Sequence, residues 1–131
     1  MGKERRKHSR VQIFDPISYL SKDSTGKVIG YNVAVVRNVS QTGIQIEALQ
    51  AISSETISLM FFDLDNNQIE VKGEVVWCAR NDSGQYNIGI RLAGTAAKNL
   101  EFIKALVKSY HYQKEKSQLV ISPNIQNETL N

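Results

Sequence analysis

The run "QIEVKGEVVWCA", Gln68 to Ala79, decides the fold. Ile69, Val71, Val75 and Trp77 alternate with Gln68, Glu70, Lys72 and Glu74. A period of two places successive side chains on opposite faces, so this is a strand with one side in a core and one in water. The same alternation recurs in Tyr86, Ile88, Ile90 and Leu92, in Ile44 and Ile46, and in Ile57, Leu59 and Phe61. A first strand is predicted over Val11 to Tyr19 and another over Tyr31 to Val39. Between the runs lie "KDSTGK" (22–27), "SQTG" (40–43), "DLDNNQ" (63–68) and "NDSG" (81–84), all rich in turn formers. Short strands joined by tight turns predict a mainly β domain: a six-stranded antiparallel barrel, whose closure removes exposed edges.

After Leu92 the period changes. Thr95 can cap a helix, and Leu100, Ile103, Leu106, Val107 and Tyr110 recur at three- and four-residue steps, an apolar stripe that would pack on the barrel. Beyond about Lys116 the chain is polar apart from Leu119 to Ile121. The expected organisation is a flexible basic arm over 1–10, the barrel with its C-terminal helix over 11–112, and a loosely ordered tail over 113–131.

The length of 131 residues suits one domain, and 41% hydrophobic with 22% charged residues is a globular composition. A lone cysteine, Cys78, cannot form an intramolecular disulfide and points to a reducing compartment. The N-terminus has no secretory apolar stretch and no run is long enough to cross a membrane, so a cytoplasmic protein without membrane insertion is expected. Nothing suggests an enzyme. His8 and His111 have neither a nucleophile nor a metal partner at diagnostic spacing, and no Gly-rich phosphate loop is present. No catalytic residue, metal or cofactor is assigned.

Two segments invite a ligand. In "ERRKHSR" (4–10), Arg5, Arg6, Lys7 and Arg10 oppose only Glu4, a local charge with nothing apolar to bury. It is either a solvated leader or an anion grip, since guanidinium forks suit phosphate oxygens and the O6/N7 edge of guanine. In "NVSQTG" (38–43), Asn38 and Ser40 are two apart and on an extended strand would point the same way. The bland reading is a connector in which Gly43 takes a positive φ. The sharper one presents an amide and a hydroxyl to one partner, with Gly43 admitting it close to the backbone.

The pair "RKHSR" (R-x-x-x-R, Arg6 and Arg10) and "NVSQTG" ([D/N]-x-S-x-x-G, Asn38, Ser40 and Gly43) resembles the PilZ domain, the bacterial receptor module for cyclic di-GMP. "EVVWCARNDSGQYNIGIRL" is similar to the later strands of that family, and the likeness runs from Glu4 to about Tyr110. Each motif alone arises readily by chance. Their order, their spacing and the β-rich pattern around them make the combination specific.

The resemblance implies that Arg6 and Arg10 hold the phosphates and guanine Hoogsteen edges, while Asn38, Ser40 and Gly43 hold a guanine on the barrel surface. Arg5 is a further contact that points to a stacked pair of dinucleotides. It implies output through an unidentified protein effector, with motility or exopolysaccharide as the processes controlled. Two alternatives stay open: a protein-interaction adaptor of the same fold that binds no dinucleotide, and a nucleic-acid-binding barrel. The latter would need exposed aromatic platforms, whereas most aromatics here alternate with the core set.

Overall fold

The computed structural model describes residues 11–52 and 56–121. Six strands precede one helix: β1 (Val11–Lys22), β2 (Val28–Val39), β3 (Gly43–Ala48), β4 (Thr56–Phe62), β5 (Gln68–Arg80), β6 (Tyr86–Leu92) and α1 (Ala96–Ile121). All neighbouring strands are antiparallel, and they close into a barrel in the order β1-β2-β3-β6-β5-β4. The first hairpin is longer than expected, because β1 continues to Lys22 and β2 begins at Val28.

The alternating runs fill the interior as their pattern requires. Ile44, Ile46, Ile57, Leu59, Phe61, Val71, Ile88, Ile90 and Leu92 are all buried, together with Ile17, Tyr19, Val36 and Val39. At about 1.5–3 kcal/mol for each large apolar side chain removed from water, this set dominates the stability of the domain. Helix α1 closes the core. Thr95 caps it, its Oγ1 accepting from the Lys98 N–H at 3.2 Å. Asn99 ties the helix back to β6: its Oδ1 accepts from the Gly94 N–H at 3.0 Å and its Nδ2 donates to the Leu92 carbonyl at 3.4 Å.

The buried face of α1 carries Phe102, Ile103 and Leu106, with Phe102 edge-on to Phe61 at a centroid distance of 5.2 Å. The stripe is therefore rotated from the expected one. Leu100 is exposed and Phe102 takes its place. The helix also runs on to Ile121, past the expected domain end at 112.

Four register shifts interrupt the ladders, two of them between β1 and β2, and the other two matter most for the site. Between β2 and β3 the register steps from Val36↔Ile46 to Asn38↔Gln45, so Arg37 is an extra residue in β2. Between β5 and β6 it steps from Val75↔Ile90 to Trp77↔Gly89, so Val76 is extra in β5. A bulge inverts the in/out phase of everything after it. Val39 thus turns inward and Asn38 does not, while Trp77, expected in the core, is 46% exposed.

Candidate ligand-binding site

The two bulges flank a saddle made by β2, β3, β6 and β5. Its centre is a hollow of about 240 Å³ lined by Asn38, Ser40, Thr42, Gly43 and Gln45 on one side and by Trp77, Gly89 and Arg91 on the other. Glycines explain why there is a hollow. On the outer face Gly43 pairs with Arg91 and Gln45 with Gly89, so two of the four floor positions have no side chain. The Trp77 indole occupies the space above Gly89: a Cβ built there would lie 2.1 Å from Trp77 Nε1.

Asn38, Ser40 and Gly43 are thus brought together. Asn38 and Ser40 flank the inward-facing Val39, the shared direction that their spacing predicts. Asn38 Nδ2 donates to Gln45 Oε1 at 3.2 Å. Ser40 Oγ lies 3.4 Å from the Gly43 carbonyl, and the Thr42 N–H donates to it at 3.4 Å, both long bonds that hold the hydroxyl loosely. Gly43 is not a positive-φ residue; Gly26 and Gly84 are. Its lack of a side chain serves a close approach instead, since a Cβ would meet the Ile90 carbonyl oxygen at 2.6 Å.

A second, larger groove of about 470 Å³ shares Asn38 and Gln45 and continues past Arg37, Glu47, Asn81, Asn87 and Phe14. Its groups satisfy one another. Arg37 pairs with Glu47 and lies over the Phe14 ring, 5.0 Å from its centroid. Asn81 Nδ2 donates to Glu47 Oε2 at 2.8 Å and to Asn87 Oδ1 at 3.2 Å. Arg91, on the rim of the hollow, pairs with Glu74. Among the described residues the two arginines beside the site are therefore both neutralised by carboxylates.

Arg5, Arg6 and Arg10 lie outside the described residues. Their attachment point does not: Val11 pairs with Val39, between Asn38 and Ser40.

Sequence reasoning missed Gln45, Trp77, Gly89 and Arg91. Gly89 was a legible signal, because a glycine inside a strand marks close approach of another group. The aromatic argument against nucleic acid also needs correction. Phe14, Tyr31, Phe62, Trp77 and Tyr112 are exposed. They do not form one platform, however: only Trp77 lines the hollow. No helix among the described residues is long and apolar enough to cross a membrane.

Comparison with known proteins agrees with the fold. Residues 4–109 match the PilZ domain family. Among curated protein sequences none matches the chain. Several solved structures share the fold, among them the following three. The PilZ domain of YcgR from Escherichia coli with c-di-GMP is 10% identical, with a TM-score of 0.59 over 88% of this chain and 98% of that one. The Bacillus subtilis inhibitor of motility MotI/DgrA is 19% identical, with a TM-score of 0.58 over 86% of this chain and 53% of that one. The MrkH–c-di-GMP complex of Klebsiella pneumoniae is 13% identical, with a TM-score of 0.55 over 87% of this chain and 55% of that one. This chain spans about half the length of the latter two proteins. With a family match covering most of its length and a six-stranded barrel closed by a helix, the chain belongs to the PilZ domain family.

Proposed function

We propose that this protein is a cyclic di-GMP receptor that signals through protein contacts and performs no catalysis. The observation that carries the reading is the convergence of Asn38, Ser40 and Gly43 on one hollow walled by Trp77. An amide, a hydroxyl and an indole face suit a purine, which needs edge-on hydrogen bonds and a stacking surface. The hollow supplies little free positive charge, because Arg91 is held by Glu74. A dianionic ligand needs cations from elsewhere. Arg6 and Arg10 meet that need, Arg10 being bonded to Val11 beside the rim.

Closing residues 5–10 over the ligand is opposed by about 1–2 kcal/mol of backbone entropy per residue. A charge-assisted hydrogen bond returns about 1.5–3 kcal/mol. Two arginines barely balance that cost, so binding is cooperative: arm, Asn38, Ser40 and stacking are all required. The closed arm presents a new surface, and that surface is the signal to a cytoplasmic protein effector. Arg5 adds a contact that favours a stacked pair of dinucleotides.

Calorimetry of the full chain with cyclic di-GMP, against GTP as control, tests the reading and gives the stoichiometry. Trp77 is the single tryptophan, so its emission should change on saturation. Arg6→Ala, Arg10→Ala and Asn38→Ala should each weaken binding severely. No heat and no emission change in the wild type would leave the adaptor reading in its place.

A further inference from the structure

The bond between Asn38 and Gln45 sets what the hollow can recognise, provided that the hollow is the guanine seat proposed above. A primary amide accepts at its oxygen and donates at its nitrogen, so two facing amides can pair in either sense. The sense adopted decides which end each amide shows to a third molecule. Here Asn38 Nδ2 donates and Gln45 Oε1 accepts, at 3.2 Å. Asn38 Oδ1 has no hydrogen-bond partner among the described residues.

That matters for guanine. Its N1–H and its 2-amino group are donors and call for an acceptor, whereas adenine presents an acceptor at N1. Reversing the Asn38–Gln45 pair would turn the Asn38 NH₂ toward a guanine donor edge and set donor against donor. The family pattern admits Asp or Asn at this position, and the two are not equivalent. A carboxylate offers oxygen whichever way it turns, while an asparagine must be oriented by a neighbour. The bulge at Arg37 supplies the neighbour, because it brings Asn38 opposite Gln45. Across the β3–β6 pairing Gln45 faces Gly89, where the Trp77 indole fills the space above the glycine without a hydrogen bond to Gln45 among the described residues.

We propose that Gln45 is a specificity-determining residue: by accepting from Asn38 Nδ2 it keeps the Asn38 oxygen available to the donor edge of a guanine. Gln45 acts on the ligand through Asn38 and is a positioning residue.

Two substitutions test this with opposite signs. Glutamate in Gln45→Glu can only accept and preserves the pair; lysine in Gln45→Lys can only donate and reverses it. Simple charge predicts the contrary order, because the ligand is dianionic. Calorimetry with cyclic di-GMP on the full chain should find Gln45→Glu within about twofold of wild type and Gln45→Lys weaker by about fivefold or more, the loss of one hydrogen bond. In an Asn38→Asp background the orientation no longer matters, so adding Gln45→Lys should change affinity by less than about twofold. The affinity ratio for cyclic di-GMP over cyclic di-AMP cancels ligand charge and should fall in Gln45→Lys alone. Thermal melts confirm that each variant is folded. If Gln45→Lys binds as tightly as Gln45→Glu or tighter, or if Asn38→Asp fails to rescue it, the orienting role is wrong although the receptor reading stands. Absence of binding by the wild type overturns both.

Discussion

Asp23, Asp63 and Asn81 each open a hairpin turn and hold it in the same way, whereas Ser40 opens the β2–β3 turn differently. In the first three, the side-chain Oδ1 accepts from the N–H two residues on (Thr25 2.9 Å, Asp65 2.9 Å, Ser83 3.0 Å) and from the N–H four residues on (Lys27 3.0 Å, Asn67 2.8 Å, Gln85 3.0 Å). The fourth residue of each turn is left-handed: Gly26 at φ 88°, Asn66 at 65° and Gly84 at 85°. In the β2–β3 turn no residue is left-handed, and the Ser40 hydroxyl makes only 3.4 Å bonds. In three turns the opening side-chain oxygen is spent on the turn's own N–H groups. The fourth holds its Ser40 hydroxyl loosely and leaves the Asn38 amide oxygen unbonded among the described residues, the opening that the proposed receptor reading uses. The four turns thus differ in how fully their opening side chains are bonded within the turn.

The comparison breaks most visibly at the two kinds of glycine. Gly43→Ala should cost about 1–3 kcal/mol of stability, because the atom in its way is the Ile90 backbone carbonyl, which cannot turn aside. It should abolish ligand binding as well. Urea unfolding and calorimetry on the same sample read both, and wild-type values in either would show that the β3–β6 approach is slack. Gly84→Ala meets no backbone: its nearest neighbour is the end of the Arg80 side chain at 3.8 Å. There the cost is conformational, about 1 kcal/mol for a left-handed alanine, and binding should be untouched.

Between those two effects lies the contrast of Asn81 with Asn38. Asn81→Ala removes the acceptor of a turn and also the bonds to Glu47 and Asn87. It should destabilise the barrel by about 1–3 kcal/mol while the protein still binds ligand. Asn38→Ala removes one exchangeable amide pair and should lower stability by less than about 0.5 kcal/mol while binding collapses. Equal stability losses in the two variants would erase the distinction between closed and open turns.

The saturated turns were the legible part of this molecule. D-x-x-G-x, D-x-x-N-x and N-x-x-G-x state their own geometry in local sequence, and the alternating runs between them state which face is buried. What was illegible is non-local. The extra residues Arg37 and Val76 look like ordinary strand residues, and only the register against β3 and β6 reveals them as bulges. Reading straight through the second one placed Trp77 in the core and so hid the wall of the hollow. Asn38 and Ser40 were singled out because the motif names them, but Gln45 was not, since its place beside Asn38 depends on the pairing that the first bulge creates. The helix ran past residue 112 for a different reason. "QKEKSQ" (113–118) has good helix formers without an apolar period, so propensity extended what the stripe had started.

The smallest effect separates the Asp23 turn from the Asn81 turn by charge. Asp23 is fully exposed, yet its carboxyl lies below the ordinary value of 3.8, chiefly because the Thr25 side chain donates to it at 2.6 Å, with the Lys27 and Thr25 backbone N–H groups adding to this. A carboxyl depressed in the folded state contributes stability that is complete above its unfolded value and fades as pH falls through the folded one. Asn in Asp23→Asn keeps the acceptor and loses the titration. The stability advantage of the wild type over this variant should therefore be constant near neutrality and shrink as pH drops below 3.8. Asn81 already has the untitratable form, so that turn should show no such acid loss of its own. Urea midpoints followed into acid read the difference. Parallel curves for wild type and Asp23→Asn would mean that the Thr25 hydroxyl does not favour the charged carboxylate, and the Asp23 and Asn81 turns would then respond alike to acid.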